Sequence, residues 1–202
     1  MTINERTFIL ATMRTKDEEK IDALFKATVK LVNEIGFAAS SVSKIAKEAR
    51  VSPATLYVYY ENKEALLVST YVEIKRGLSE VVLKDFDEGL PIRDILRTVW
   101  NNCFKHISKH LDHFRYMEQF SNSPYTDLVD HATLERYFEP LFRVIERGIK
   151  EKIIKDVDRD ILAVFIWHPV MVLANPRHCK NFEMTDKNIA DGFTMSWDAI
   201  KL

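Results

Sequence analysis

The chain is poor in the residues that break helices and in those that form disulfides. Its 202 residues include five glycines, six prolines and two cysteines. Five scattered glycines exclude a glycine-rich phosphate-binding loop, and so little glycine and proline favours a mostly helical fold. Two cysteines are too few for a disulfide scaffold, so we expect reduced thiols in a cytoplasmic protein.

Long apolar runs and a strong net charge are also missing. No stretch approaches the roughly 18 uninterrupted apolar residues of a membrane span, and the N-terminus lacks the basic-then-apolar order of a secretory signal. The formal net charge is −1, which creates no global positive field that would attract nucleic acid. Residues 1–63 are weakly basic, with ten Lys and Arg against eight Asp and Glu. This balance is consistent with a small phosphate-contacting surface.

Residues 40–63 predict two short helices joined by a tight turn. The first helix has apolar residues at helical spacing, which gives it one buried face: Val42, Ile45, Ala46 and Ala49. The turn follows at Arg50 and Val51. Ser52 then offers a side-chain oxygen as an N-cap, and Pro53 supplies the fixed φ of a first helical position.

The second short helix, from Pro53 to Tyr60, can direct only Leu56 and part of Tyr60 towards a core. Its outward face combines hydroxyls that can bond phosphates with small apolar groups that can meet thymine methyls: Ala54, Thr55, Tyr57, Val58 and Tyr59. Asn62 then caps a long helix that begins at Lys63, where backbone amides and the lysine point at any nearby phosphate. This arrangement predicts a helix-turn-helix that reads the major groove.

The same stretch resembles the signature of the tetracycline-repressor (TetR) family of bacterial regulators. The matching residues are Gly36-Phe37, Ser40-Ser41-Val42, Ile45-Ala46, Val51-Ser52, Thr55-Leu56-Tyr57, Tyr59-Tyr60, Lys63-Glu64 and Leu66-Leu67. The signature covers about a quarter of the chain. The resemblance implies an all-α, homodimeric transcription regulator, usually a repressor that a small molecule releases from a palindromic operator.

The predicted DNA contacts follow from this resemblance and from the outward faces of the two short helices. The candidate residues are Ser40, Ser41, Ser43, Pro53, Ala54, Thr55, Tyr57, Val58, Tyr59 and Lys63. Of these, Tyr57, Tyr59 and Lys63 match family positions that bond the phosphate backbone. The base-facing candidates are Ser43, Pro53, Ala54, Thr55 and Val58.

Two residues depart from the family signature. Arg50 stands where the family usually has glycine, in a turn that commonly needs φ > 0, so its side chain would cost on the order of 1 kcal/mol. Ala54 replaces another frequent glycine at the start of the reading helix, and this change should alter base preference more than fold.

The sequence predicts three parts. Residues 1–62 form the three-helix DNA-binding domain, in which residues 1–14 are either a frayed terminus or a basic arm and a Thr15–Glu18 capping box starts the first helix. Residues 63–84 form a connecting helix. Residues 85–202 form the helical ligand-binding and dimerisation domain, with helices starting at Pro91, at Asp112, at about residue 126, at Asp158 and at Thr185.

The C-terminal helices have apolar and aromatic faces that either fill a core or line a ligand cavity. The resembled family has its ligand cavity in this region. We therefore expect the effector site to be lined by Val99, Cys103, His106, His110, Phe114, Met117, Tyr137, Phe138 and Leu141. A mostly aromatic wall with few polar groups favours an apolar or aromatic molecule fixed by one or two hydrogen bonds.

Cys103, His106 and His110 lie at i, i+3 and i+7 on one helix face. A thiolate and two imidazoles suit zinc or copper, so the alternative is a metal-responsive or purely ligand-binding protein, although a fourth ligand would have to come from elsewhere. Cys103 and His106 could also form a nucleophile pair, but no oxyanion-donor loop or carboxylate orienter accompanies them. We therefore expect no enzyme activity, no cofactor and no metal.

The last two helices contain more apolar side chains than a thin helical domain can bury internally. The predicted dimer interface is Phe165, Ile166, Trp167, Val170, Phe193 and Trp197. The family resemblance places the interface on the same helices. The expected partners are thus double-stranded operator DNA, a small-molecule effector and a second copy of the chain, with no membrane.

Overall fold

A computed structural model describes the backbone of residues 3–202 and the side chains of residues 16–202. Across this part of the chain the regular elements are helices, and a single antiparallel bridge joins Ile154 and Lys201. The prediction of an all-α fold is confirmed. None of the described helices is both long enough and apolar enough to cross a membrane.

The α-helices are numbered in chain order. They are α1 (Ile3–Ala39), α2 (Val42–Glu48), α3 (Pro53–Tyr59), α4 (Lys63–Val82), α5 (Ile92–Lys109), α6 (Leu111–Ser121), α7 (His131–Lys150), α8 (Arg159–Leu173) and α9 (Asp186–Ile200). A 3-10 helix, Pro124–Leu128, lies between α6 and α7.

The first helix differs from its prediction at the start and agrees with it at the end. The capping box predicts a start at Thr15, but α1 begins at Ile3, because Thr and Glu are also tolerated inside helices and do not by themselves start one. Gly36 has φ 76° and interrupts the helical geometry, as its C-terminal glycine role predicts. Residues 1–2 and the arginine side chains of the predicted basic arm lie outside the described residues.

Capping residues set most of the other helix starts. The Asp158 carboxylate accepts from the Asp160 amide at 2.8 Å, and the Thr185 hydroxyl accepts from the Asn188 amide at 3.2 Å, so both predicted caps are confirmed. The start predicted near residue 126 is wrong. Residue Thr126 lies in the 3-10 helix, where its hydroxyl donates to the Ser123 carbonyl at 2.6 Å, and α7 begins only at His131.

The described residues form two compact units, and the first contains the residues up to Glu73 together with Arg115–Val129. Its core joins the first four helices through these buried side chains: Leu24, Ala27, Ile45, Ala49, Leu56 and Leu66. Segment 115–129 packs in the same unit, since the Tyr116 hydroxyl donates to the Leu67 carbonyl at 2.8 Å and the Phe120 ring stacks on Tyr71 at 4.2 Å.

The second unit contains Ile74–Phe114 and Asp130–Leu202. Trp100 of α5 is fully buried at its centre; the indole N–H donates to the Ile166 carbonyl at 3.1 Å and the ring meets Phe193 edge-on at 6.1 Å. These contacts pack α5 against α8 and α9. The three-part division at residues 62 and 84 stays a prediction, and α4 contributes residues to both compact units.

Candidate DNA-binding surface and ligand cavity

Two N-caps and one apolar anchor hold the helix-turn-helix in place. The Ser41 hydroxyl accepts from the Lys44 amide at 3.3 Å, and the Ser52 hydroxyl accepts from the Thr55 amide at 3.1 Å, so each helix begins on a satisfied donor. Leu56 is the buried residue of α3. A short helix held by one fully buried side chain leaves much of its surface available to a partner.

The turn between the two helices has the left-handed backbone that the sequence predicts. Arg50 has φ 57°, and its amide donates to the Lys47 carbonyl at 3.1 Å. The Val51 amide donates to the Ala46 carbonyl at 2.9 Å and closes the end of α2. These hydrogen bonds hold an arginine in a conformation that glycine adopts at lower cost.

Most of the predicted DNA-contacting side chains are accessible. Tyr57 and Val58 are 54% and 75% exposed, which is high for large apolar residues. The other accessible members of the set are Ser41, Ser43, Pro53 and Ala54 (exposed) and Thr55, Tyr59 and Lys63 (half-buried). Ser40 is the exception. Its side chain is buried and its hydroxyl donates to the Gly36 carbonyl at 2.7 Å, so it ties the chain to the end of α1 and its assignment as a DNA contact is wrong.

Two of the predicted phosphate contacts already have acceptors within the chain. The Tyr59 hydroxyl donates to the Asp17 carboxylate at 2.6 Å, and this bond holds the pKa of Asp17 below its usual range and raises the pKa of Tyr59. The Lys63 ammonium donates to the Phe37 carbonyl at 2.6 Å. A phosphate at either position would have to compete with, or add to, these hydrogen bonds.

The turn and α2 expose further cations that the predicted set leaves out. Lys44, Lys47 and Arg50 are exposed, and the Lys44 ammonium also donates to the Ala39 carbonyl at 3.1 Å. Their outward placement follows from the same helical periodicity that buries Ile45 and Ala46, so the spacing of α2 already contained this signal.

The second unit contains an apolar cavity of about 360 Å³, partly open at the surface, between α4, α5, α7 and α8. Its lining is Lys75, Leu78, Val82, Val99, Cys103, Phe138, Leu141, Phe142, Ala163, Val164, Trp167, His168 and Met171. The volume falls at the lower end of the roughly 300–1,000 Å³ typical of small-molecule sites. The cavity can therefore hold a compact, largely apolar molecule.

Two family models match this chain. The family model "Bacterial regulatory proteins, tetR family" matches residues 24–70, and "Tetracyclin repressor-like, C-terminal domain" matches residues 91–201. The chain belongs to the TetR family. Members of this family are DNA-binding transcriptional regulators and not enzymes.

Relatives of this TetR-family regulator match along nearly its whole length. A TetR-family transcription regulator from Marinobacter aquaeolei VT8 is 35% identical, with a TM-score of 0.86 over 93% of this chain and 98% of that one. An uncharacterized HTH-type transcriptional regulator from Haemophilus influenzae is 25% identical over 94% of this chain and all of its own. The regulator FadR from Bacillus subtilis, solved in complex with stearoyl-CoA, shares the fold at 23% identity and a TM-score of 0.68 over 86% of this chain and 94% of its own.

The cavity of the TetR-family protein contains part of the predicted effector lining. Val99, Cys103, Phe138 and Leu141 line it, whereas His106, His110, Phe114, Met117 and Tyr137 do not. Phe114 and Met117 are buried core residues, and Met117 belongs to the first compact unit. The prediction missed the walls from α4 and α8, although Lys75, Leu78 and Val82 recur at i, i+3 and i+7.

The predicted alternative of a metal site has no support in the geometry. Among the described residues, no three His, Cys, Asp or Glu side chains lie close enough together to hold a metal ion. Burial raises the pKa of the Cys103 thiol to about 12, which disfavours the thiolate that a nucleophile needs. The His106 and His110 rings instead pack on each other, with centroids 4.6 Å apart.

The predicted dimer interface is largely buried within the protomer. Ile166, Val170, Phe193 and Trp197 have at most 6% of their surface exposed and cannot reach a partner, so their assignment is wrong. Trp167 lines the cavity, and Phe165 is exposed. The apolar surface that α8 and α9 leave exposed is formed by Ile161, Val164, Phe165 and Met195.

Proposed function

We propose that this regulator represses transcription as a homodimer on a palindromic operator, and that a small, largely apolar or aromatic ligand releases it. The observation that carries this proposal is the 360 Å³ apolar cavity, in a chain whose N-terminal helix-turn-helix exposes its reading helix. As a DNA-binding regulator of bacterial type, it would act in the cytoplasm.

Recognition of the operator would rest on the exposed face of α3. Val58 and the neighbouring Ala54 offer small apolar contacts for thymine methyls, while Tyr57 offers a hydroxyl to the backbone. In a two-fold symmetric dimer, the two copies of α3 must lie about 34–36 Å apart to enter successive major grooves. The operator is then expected to be a palindrome with half-sites one helical turn apart.

The cavity and the exposed apolar surface share a wall. Val164 and His168 of α8 line the cavity, and they also line a groove against α9 that contains Phe165 and Met195. A second copy of the chain seated on this groove would therefore contact the same helix that a ligand contacts. A ligand that favours another arrangement of the dimer would weaken DNA binding through its different affinities for the two states.

The test begins with selection of bound sequences from random duplex DNA by the purified chain. The enriched site is then labelled, and compounds are screened for release by fluorescence anisotropy. Phe138→Trp and Cys103→Trp add bulk to the cavity wall and should block release while DNA affinity remains. Val157→Trp, at an exposed loop position, is the matched control and should release normally.

The possible results separate the parts of the proposal. Release that survives both cavity substitutions would place the effector site elsewhere. Failure to enrich any sequence would contradict operator binding and favour a ligand-binding protein without a DNA function. Thermal unfolding of each variant shows whether Cys103→Trp has lost DNA binding merely because its buried side chain no longer fits.

A further inference from the structure

One carboxylate of α1 accepts hydrogen bonds at the end of the reading helix. The Tyr59 hydroxyl of α3 and the Lys20 ammonium of α1 both donate to Oδ1 of Asp17, at 2.6 and 3.3 Å. These two hydrogen bonds, that of Tyr59 first, hold the pKa of Asp17 below its usual range, so the carboxylate is charged near neutral pH. Donors from two helices therefore converge on one anionic oxygen.

The site combines a fixed ring with accessible polar atoms. The Tyr59 ring is half-buried and packs against the apolar core of the first unit. The side chains of Asp17 and Lys20 are 51% and 43% exposed. An anion from outside can therefore reach the hydroxyl and the ammonium if the Asp17 side chain rotates away, and no change of the helices is needed.

The two donors suit a phosphate oxygen as well as they suit the carboxylate. The 2.6 Å between the Tyr59 hydroxyl and Asp17 is the length of an O–H hydrogen bond to a charged oxygen, and a phosphate oxygen accepts at the same length. Tyr59 is the last residue of α3, whose exposed side chains Tyr57 and Val58 face away from the core. A carboxylate at this position has the wrong charge for DNA, because it repels a phosphate that approaches α3.

We propose that Asp17 occupies the place of a DNA phosphate in the free protein, and that Tyr59 and Lys20 exchange its carboxylate for a phosphate oxygen when a duplex binds. This inference rests on the proposed function, in which α3 enters the major groove between two phosphate backbones. It makes Lys20 a DNA contact that the predicted set lacks, and Asp17 a residue that lowers the affinity for DNA. Since phosphates carry no sequence information, the cost is the same for the operator and for any other duplex.

The experiment measures the affinity of the full chain for its selected operator and for an unrelated duplex by fluorescence anisotropy. Asp17→Ala removes the carboxylate that holds the two donors. Glu19→Ala is the matched control, because it removes the same charge from another exposed position of α1, two residues away. Both substitutions introduce the best helix former, so their effects on α1 itself are similar.

Asp17→Ala should bind both duplexes about three- to tenfold more tightly than Glu19→Ala does, which is the range of one net hydrogen bond. Equal affinities of the two variants would show that only the distant charge matters. Weaker binding by Asp17→Ala than by the wild type would show that Asp17 merely holds Tyr59 in place. Either result would overturn the proposal.

A double-mutant cycle tests the exchange at the tyrosine. In the wild type the Tyr59 hydroxyl gives up one acceptor to gain another, whereas in Asp17→Ala it gains the phosphate without that loss. Tyr59→Phe should therefore weaken DNA binding more in the Asp17→Ala background than in the wild type. Identical effects in the two backgrounds would overturn the exchange.

The salt dependence of binding tests the contact of Lys20. Lys20→Met should reduce the slope of log affinity against log salt by about one, the contribution of one phosphate contact. Lys26→Met, at an exposed position of the same helix, is the control and should leave the slope unchanged. A slope that Lys20→Met does not alter would overturn the assignment of Lys20.

The two proposals fail in different ways. If the wild type and the variants bind no duplex, the proposed function fails and the exchange fails with it. If all of them bind the operator and a ligand releases it, while Asp17→Ala behaves as Glu19→Ala does, the proposed function stands and the exchange alone is refuted.

Discussion

Replacing Arg50 by glycine should stabilise the helix-turn-helix. Arg50 has φ 57°, a region that costs a residue with a Cβ about 1–2 kcal/mol. Glycine removes this strain but has more freedom to lose on folding, which costs roughly 0.5–1 kcal/mol. The net gain in the free energy of unfolding is therefore about 0.5–1 kcal/mol. For a chain of this length, that corresponds to a rise in melting temperature of roughly 1–4 °C.

Urea unfolding and hydrogen exchange would measure this gain. The Arg50 and Val51 amides close the turn, and the Leu56 amide donates to the Ser52 carbonyl at the start of α3. Exchange of these three amides should slow in Arg50→Gly if the gain is local. Arg50→Ala is the matched control, because it removes the same side chain and charge yet keeps the Cβ. It should leave stability within about 0.5 kcal/mol of the wild type.

The Arg50→Ala control also separates the effect of backbone strain from the effect of losing a positive charge. Arg50→Gly and Arg50→Ala lose the same positive charge from an exposed position, so both should weaken non-specific DNA binding to the same extent. If alanine stabilises the chain as much as glycine does, charge repulsion and not backbone strain is the cause. A glycine variant less stable than the wild type would refute the reasoning about the turn altogether.

Three further predictions concern packing, pH and the DNA surface. A Cβ at Gly148 would lie 2.6 Å from Ile154 Cδ1, so Gly148→Ala should lower the free energy of unfolding by about 1–3 kcal/mol. An unchanged midpoint of urea unfolding would show that the Ile154 side chain moves aside without cost. Burial lowers the pKa of His106 from 6.5 to about 4; the unfolded chain therefore takes up the proton first, and stability should fall as the pH drops from about 6.5 towards 4. His106→Asn should remove from that profile a slope of at most about 1.4 kcal/mol per pH unit, the limit for one proton, and should leave the contribution of His113, whose pKa burial also lowers. An unchanged profile would refute the assignment to His106. Tyr59→Phe should weaken operator binding by up to about tenfold if a phosphate accepts the hydroxyl, whereas unchanged affinity would mean that the hydroxyl stays with Asp17.

The sequence was informative wherever a local pattern decides the structure. Ser52 and Asn62 precede short apolar patterns, and both act as N-caps: the Asn62 side chain accepts from the Ala65 amide at 2.7 Å. The positive φ of Arg50 could also be predicted, since the family signature marks a glycine position there. These features depend on neighbours within a few residues, which is why they can be predicted without the tertiary fold.

The ligand cavity and the dimer surface could not be predicted residue by residue. Helix α8 is apolar on nearly every side, so its periodicity does not tell which side meets the core, the cavity or a partner. Ile166 and Val170 face the core, Trp167 faces the cavity, and Phe165 is exposed. The distribution is decided by contacts with α5 and α9, which are distant in the chain.

Ser40 shows a different error, in which a residue was assigned as a DNA contact although its side chain is used inside the protein. A hydroxyl at the start of a DNA-binding helix suits a phosphate, yet the Ser40 hydroxyl donates to the Gly36 carbonyl and is buried. The carbonyl is available because Gly36 has left the helical conformation at the end of α1. The sequence shows both residues, but only the structure shows that one satisfies the other.

The most direct test of the regulator's proposed action is sedimentation of the purified chain with its selected operator, with and without ligand. The account predicts two chains on each palindromic duplex, and dissociation of that complex when a cavity ligand is added. Val58→Ala, which shortens a strongly exposed side chain of the reading helix, should still give two chains per duplex but relax the preference at one base pair in each half-site. A single chain bound per duplex, or a complex that persists at saturating concentrations of a cavity ligand, would contradict the account.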